Sequence, residues 1–212
     1  MKIALAQRAA LLAAICPAVS MGQLPEGPPS DAERGRQIYV ICGACHGPLA
    51  LGEQRLDAPS LVGQKEAYML RQLRNFRVGI RGGKGDDQGR QMRLILDTVS
   101  SESDWKAVIA YVLSLPVQRP QSTLQGDIES GRQIYSTCSA CHGSTAEGNE
   151  ALDAPNLRSL ADWYIVDELQ KYRMGLRGAS PGDSPGARMR AIAATLRSDE
   201  DMRAVASFIV SR

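Results

Sequence analysis

The sequence predicts an all-α protein in which one helical unit occurs twice, and three observations carry that expectation. Wherever a hydrophobic period can be read it is that of a helix, and no segment sustains the alternation of a strand. Three stretches recur 96 positions apart: Gly35-Arg36-Gln37-Ile38-Tyr39 as Gly131-Arg132-Gln133-Ile134-Tyr135, Asp57-Ala58-Pro59 as Asp153-Ala154-Pro155, and Arg77-Val78-Gly79 as Arg173-Met174-Gly175. Helix-start signals stand where the periodic runs begin, as in Ser30-Asp31-Ala32-Glu33, a capping box. A repeat of this length is a duplicated domain and not a solenoid, because each copy carries a complete set of motifs.

Taken in order, residues 1–22 read as a cleaved export leader. Lys2 and Arg8 supply a positive start, Ala9 to Val19 is an apolar run too short to span a bilayer, and small residues suit cleavage after Ser20 or Gly22. A Pro- and Gly-rich linker, 23–30, follows. The first unit is expected over 31–116, a polar linker with prolines over 117–126, and the second unit over 127–212. In the first unit, Tyr68, Leu70, Leu73 and Phe76 share a helical face that stops at Gly79, and Gly175 is the matching stop in the second. Ser101-x-x-Asp104 and Ser198-x-x-Asp201 open each unit's last helix. Behind them Trp105, Val108, Ile109 and Val112, and then Met202, Val205 and Ile209, repeat at helical spacing.

The chemistry is concentrated in Cys42-Gly43-Ala44-Cys45-His46 and its repeat Cys138-Ser139-Ala140-Cys141-His142. C-x-x-C-H is the attachment pattern of a c-type haem. Two thiols at this spacing can bond to the two vinyl groups on one edge of the haem, and the adjacent imidazole then falls under the iron. The chain has five cysteines and two histidines. The motifs take four cysteines and both histidines; the fifth cysteine, Cys16, lies in the leader, which leaves no structural disulfide for the mature units. With no histidine left over, a bis-histidine iron is excluded by counting. Zinc ribbons also use C-x-x-C pairs, but they place the second pair about 15–20 residues on, whereas here almost a whole repeat intervenes. A thioredoxin-like dithiol needs a βαβ setting that neither motif has.

An iron with one histidine needs a second axial ligand, and methionine is the next candidate. Met69 aligns with Ile165, Met174 with Val78, and Met202 with Trp105, so only Met92 and Met189 correspond. Each follows a Gly/Asp-rich segment and precedes the last helix, and a loop is expected there to carry the thioether over the haem face. The alternative, two core methionines at equal positions by descent, stays open at this point. Lys65, Lys84, Lys106 and Lys171 form no matched pair.

Two C-x-x-C-H units, each followed by A-P-x-L, a tyrosine-containing helix ending in a Gly-Arg-rich loop, and a Met-Arg before the last helix, resemble the cytochrome c4 family of dihaem electron carriers. The resemblance covers nearly the whole mature chain. It implies two tandem cytochrome c-like domains and two covalently bound haem c groups, with iron held by His46 and Met92 in one and by His142 and Met189 in the other. It also implies that Pro59 and Pro155 offer a backbone carbonyl to the proximal imidazole, a plain turn being the alternative for each. The function implied is electron transfer in the periplasm, not catalysis, with a quinol-oxidising complex or dehydrogenase as donor and a terminal oxidase as acceptor. A permanent haem subunit of a periplasmic dehydrogenase and a dihaem peroxidase are the other readings.

No run after the leader is apolar enough for a membrane span, so the mature chain is expected to be soluble or peripheral to a membrane. The net charge is +2, with 12 basic and 10 acidic residues in the first unit and 10 and 12 in the second. This imbalance is read either as a bias in which end meets which partner or as a solvated surface. Arg71, Arg74, Arg77 and Arg81 are read likewise, as partners of haem propionates or as a solvated helix face. Nothing points to nucleic acid or to a small-molecule substrate. The first expected outcome is stoichiometric: the intact mass of the exported protein should exceed that of the apo mature chain by two haems, and acid-acetone should leave the colour on the polypeptide. A gain of one haem, or a retained leader, contradicts the reading.

Overall fold

A computed structural model describes residues 30–212, and in it each unit is a four-helix fold of the same order. The first comprises α1 (Asp31–His46), α2 (Glu66–Arg77), α3 (Asp87–Thr98) and α4 (Glu102–Ser114). The second comprises α5 (Ile128–His142), α6 (Asp162–Arg173), α7 (Ser184–Ala193) and α8 (Asp199–Val210). Short 3-10 turns stand at Gln54–Leu56 and Glu150–Leu152. Among the described residues there is no strand, only the isolated bridges Glu53–Ala58 and Asn149–Ala154, and no helix is long and apolar enough to cross a membrane. The expected leader, its cleavage positions, Cys16, Met21 and nearly all of the 23–30 linker lie outside the described residues.

The helix boundaries follow from local chemistry. Ser30 Oγ accepts from Glu33 N at 3.3 Å, Ser101 Oγ from Ser103 N at 3.2 Å and Ser198 Oγ from Asp201 N at 3.2 Å, each satisfying a donor that the first helical turn leaves free. Gly79 and Gly175, with φ of 80° and 75°, turn the chain out of α2 and α6.

In each unit the first and last helices cross closely, α1 on α4 and α5 on α8. The crossing is set by a glycine. A Cβ on Gly35 would collide with the Ala107 carbonyl, and one on Gly131 with the Ala204 carbonyl. The pair is locked by Tyr39 against Tyr111, with ring centroids 5.2 Å apart, and by Tyr135 against Phe208 at 5.4 Å. The buried faces are the predicted ones: Trp105, Val108, Ile109 and Val112 on α4, and Met202, Val205 and Ile209 on α8.

The units meet through polar contacts. Asn156 Nδ2 donates to the Gly63 carbonyl at 2.8 Å, and Arg71 Nη2 donates to the Asp153 carbonyl at 2.8 Å while its other arm pairs with the Asp153 carboxylate. The stretch between the units has no regular secondary structure, but it is fastened to the second. The fully buried Asp162 carboxylate accepts from Ser122 Oγ at 2.9 Å, Thr123 N at 2.7 Å, Thr123 Oγ1 at 2.6 Å and Leu124 N at 2.9 Å. Burial pushes this carboxyl up, and the four donors outweigh it, holding it below the usual carboxylate range.

The arginine run divides: Arg74 and Arg77 are exposed, whereas Arg71 and Arg81 face the second unit, and all four are paired with carboxylates. Arg74 forms a two-pronged pair with Glu102 at 2.7 and 2.9 Å, Arg77 pairs with Asp97, Arg71 with Asp153, and Arg81 with Glu168. All four partners are remote in sequence. The exposed pairs are weakened by solvent and salt; Arg81 is buried and belongs to the interface between the units.

Gly35→Ala and Gly131→Ala should each lower stability by about 1–3 kcal/mol through overpacking, read from the denaturant midpoint. Alanine in a helix interior is otherwise favoured over glycine by up to about 1 kcal/mol, so a loss is specific to the crossing. Gly83→Ala, where an added Cβ meets nothing within 4 Å, should leave the midpoint nearly unchanged.

Candidate haem sites

Each C-x-x-C-H motif occupies the last turn of its unit's first helix, so the crossing fixed by Gly35 or Gly131 also fixes where the thiols and imidazole stand. His46 and His142 are buried. Burial pushes both imidazoles down, opposed by hydrogen bonds from the prolines' carbonyls. Those bonds link His46 Nδ1 to the Pro59 carbonyl at 2.8 Å and His142 Nδ1 to the Pro155 carbonyl at 3.1 Å. A carbonyl can only accept, so Nδ1 carries the proton and Nε2 keeps its lone pair for a metal. The contact fixes the plane of the ring and makes it a stronger donor.

The loop between motif and proline is built to hold that carbonyl in place. The Gly52 N–H donates to the His46 carbonyl at 2.9 Å, and Gly148 to His142 at 2.8 Å. Glu53 and Ala58 exchange two backbone bonds, as do Asn149 and Ala154. Tyr39 OH reaches the Gly47 carbonyl at 2.8 Å and Tyr135 OH the Gly143 carbonyl at 2.7 Å, pinning the chain directly after each histidine. Ala50 and Ala146, fully buried, are held at φ of 56° and 65°, a left-handed conformation that alanine adopts only when its surroundings impose it.

Cys42 and Cys138 are partly buried and Cys45 and Cys141 exposed, and none of the four is in a disulfide.

A cavity of about 720 Å³, walled mostly by the second unit and completed by Tyr68, Arg71 and Gln72 of the first, is lined by Cys138, Cys141, His142, Pro155 and Met189 together with apolar side chains such as Leu157, Leu160 and Ile165. These residues fit a haem: two thiols for its edge, an imidazole with a free Nε2, a thioether, and an apolar lining. Arg71 and Arg177 also line the cavity, and the buried Nε of each lacks a hydrogen-bond partner among the described residues. Such orphaned cationic donors suit the carboxylate edge of the same group.

Met92 and Met189 are not on loops. Met92 lies within α3 and Met189 within α7, each half-buried. Met92 packs beside Phe76, Leu96, Val99 and Trp105. The Gly/Asp/Pro segments that read as loop are helix starts. Asp86 accepts from Gly89 N at 3.1 Å and Asp183 from Gly186 N at 3.0 Å. Gly89 and Gly186 stand in the first turn because a Cβ there would collide with the capping carboxylate. The other methionines take other places: Met69 and Met202 are core and Met174 is exposed.

At the boundary of the two units lies a group of side chains that sequence reasoning missed. Arg81 and Arg177 occupy equivalent positions in the repeat, as do Gln72 and Glu168. Arg81 donates to Gln72 Oε1 at 2.9 Å and to both oxygens of Glu168 at 3.1 and 3.2 Å; Arg177 donates to the same Gln72 oxygen at 3.1 Å and pairs with Glu168. The four form a closed ring. Beside it Lys171 pairs with Asp167 at 2.8 Å and, across the boundary, with Asp86 at 3.2 Å. Burial pushes the Asp86 carboxyl up, but Lys171 and the Gly89 N–H outweigh it and hold it below the ordinary range.

Two all-helical units, each with a C-x-x-C-H motif and an oriented proximal imidazole, define a dihaem c-type cytochrome, with one haem c bound covalently at Cys42 and Cys45 and another at Cys138 and Cys141. The family model for cytochrome c matches twice, over residues 32–116 and 128–212. Cytochrome c4 of Azotobacter vinelandii is 31% identical over 193 residues, covering 84% of this chain and 88% of its own. The structure of reduced recombinant cytochrome c4 from Pseudomonas stutzeri superposes with a TM-score of 0.66 at 29% identity, over 84% of this chain and 96% of that one. The chain belongs to the cytochrome c4 family. It is also similar to thiosulfate dehydrogenase TsdBA from Marichromatium purpuratum, with a TM-score of 0.71 at 27% identity over 85% of this chain and 40% of that one.

Proposed function

We propose that this protein is a periplasmic electron carrier in which His46 and Met92 hold one haem iron and His142 and Met189 the other. The observation that carries the reading is the cavity at the second unit's motif, which the Met189 thioether and the His142 imidazole both line; Met92 stands at the matching position of the first unit. Haem supplies a reversible one-electron couple. The chain's own residues decide how that couple is used. Imidazole and thioether would together hold the iron, so that a substrate would reach it only by displacing a protein atom, and thioether ligation would raise the potential. The Pro59 and Pro155 carbonyls hold each ring in one orientation, and helices α3 and α7 hold the thioethers on rigid elements. Fixed ligands keep the geometry similar in both oxidation states, which lowers the reorganisation that transfer requires. A dihaem peroxidase needs an exchangeable axial position, and the two matched methionines speak against it.

The donor in this reading is a quinol-oxidising complex or a dehydrogenase and the acceptor a terminal oxidase. A second reading, a permanent haem subunit of a dehydrogenase, draws on the likeness to TsdBA, a protein of which this chain covers 40%. Native purification separates the two: a shuttle elutes alone, whereas a subunit elutes with its partner.

Met92→Ala and Met189→Ala should each remove about half of the ferric iron–thioether charge-transfer absorption and lower one midpoint potential. Met69→Ala should do neither. Reduced Met92→Ala and Met189→Ala proteins should bind carbon monoxide readily and the parent hardly at all; rapid binding by the parent would revive the enzyme reading.

A further inference from the structure

Asp86 and Asp183 do the same work at the start of α3 and α7: each caps the helix that carries one of the matched methionines. Their surroundings differ. Among the described residues the Asp183 carboxylate has one hydrogen-bond donor, Gly186 N at 3.0 Å, and no ion pair. Asp86 accepts from Gly89 N at 3.1 Å and from Gly82 N at 3.2 Å, and it takes a cation besides. That cation is Lys171, 3.2 Å away on α6 of the second unit. Both side chains are buried. At the position equivalent to Lys171 the first unit has the uncharged Asn75, so the second unit reaches into the first and the first does not reciprocate.

This pair joins the boundary between the units to the first unit's methionine. Met92 lies in the second turn of α3, and a helix moves as a rigid body over so short a length. Arg93, directly after it, donates to the Gly82 carbonyl at 3.2 Å, while Asp86 holds the Gly82 N–H, so the first two turns of α3 are tied to one point of the chain. Removing one partner of a buried ion pair leaves the other charge uncompensated, which is strongly unfavourable. The dependence runs one way. Lys171 keeps Asp167 at 2.8 Å and Glu168 at 3.6 Å on its own helix, whereas Asp86 has no second ion-pair partner among the described residues.

We infer that Lys171 is a positioning residue for the first unit's iron: by holding the Asp86 carboxylate across the boundary it fixes the start of α3 and with it the Met92 thioether, so that ligation in the first unit depends on the second unit being seated. Lys171 touches no reacting atom; it acts through Asp86 and the helix that Asp86 caps. Met189 has no such dependence, because the cap of α7 takes no cation from the first unit. The inference rests on the reading of Met92 and Met189 as axial ligands.

The test is proton NMR of the reduced full-length holoprotein. A methionine bound to haem iron has its methyl resonance displaced far upfield by the ring current, and each such resonance is assigned by its loss in Met92→Ala or Met189→Ala. Lys171→Met keeps the alkyl stem and loses the charge. It should abolish or broaden the Met92 resonance and leave that of Met189 in place, and carbon monoxide should bind one iron of this variant where it hardly binds the parent. Lys171→Arg, which keeps a cation, should retain both resonances. Asp167→Asn, which removes the partner of Lys171 on its own helix, should also leave both as in the parent. A Met92 resonance unchanged in Lys171→Met, or a Met189 resonance lost with it or instead of it, overturns the inference. If Lys171→Met fails to retain two haems, Lys171→Asn, matching the residue that the first unit has there, decides on the same readings. Failure of the ligand reading has a separate signature: the parent then shows no displaced resonance that Met92→Ala removes.

Discussion

The hydrogen bond from each histidine Nδ1 to a proline carbonyl is the constraint on which the rest of each unit depends. One bond of 2.8 or 3.1 Å decides which ring nitrogen is free and which way the imidazole faces. The carbonyl sits 13 residues beyond the histidine, and an unsupported loop of that length would not hold it to a few tenths of an ångström. The tyrosine hydroxyl on the carbonyl after the motif, the two-bond bridge and the left-handed alanine all lie between the two ends and remove that freedom. The histidine itself ends a helix whose approach to its partner is governed by one glycine. Loop rigidity and helix crossing thus converge on one imidazole, twice.

The fold was legible because its signals are local or repetitive. The caps at Ser30, Ser101 and Ser198, the stops at Gly79 and Gly175 and the apolar face of each last helix are short-range chemistry, and they stand where the spacing put them. The C-x-x-C-H motifs were legible for the same reason. The methionine helices were not. Asp86-Asp87-Gln88-Gly89 and Asp183-Ser184-Pro185-Gly186 have turn composition, and only the structure shows that the first Asp of each caps a helix and that the Gly makes room for its carboxylate. An aspartate followed three positions later by glycine, with a methionine behind, was the available signal.

The contact between units was hidden for a different reason. A row of arginines, glutamines and acidic residues on α2 and α6 has the composition of a solvated face, and pattern reasoning has no means of distinguishing such a face from a polar interface. Arg81 and Glu168 are 87 positions apart, so their pairing belongs to tertiary structure alone. Aligning the two units did hold a clue: Gln72 against Glu168 and Asn75 against Lys171 are changes of charge within otherwise similar helices, and a duplicated chain that departs from itself at neighbouring turns of one helix marks a surface on which its copies play different parts.

The four bonds that Asp162 draws from Ser122, Thr123 and Leu124 shorten the leash between the two halves. The connecting chain runs from α4 to α5, yet it is already moored at both ends: Leu115 packs on the first half's core, and Arg119 donates to the Arg212 carbonyl of the second. For tethered partners the local concentration rises as the slack falls and is on the order of millimolar even for short flexible connections. If the polar contact between the halves opened, as when another protein pressed against one of them, the halves would recapture each other at a rate set by a few residues of rope. A seam rich in charged side chains can then persist because it is never allowed to separate far.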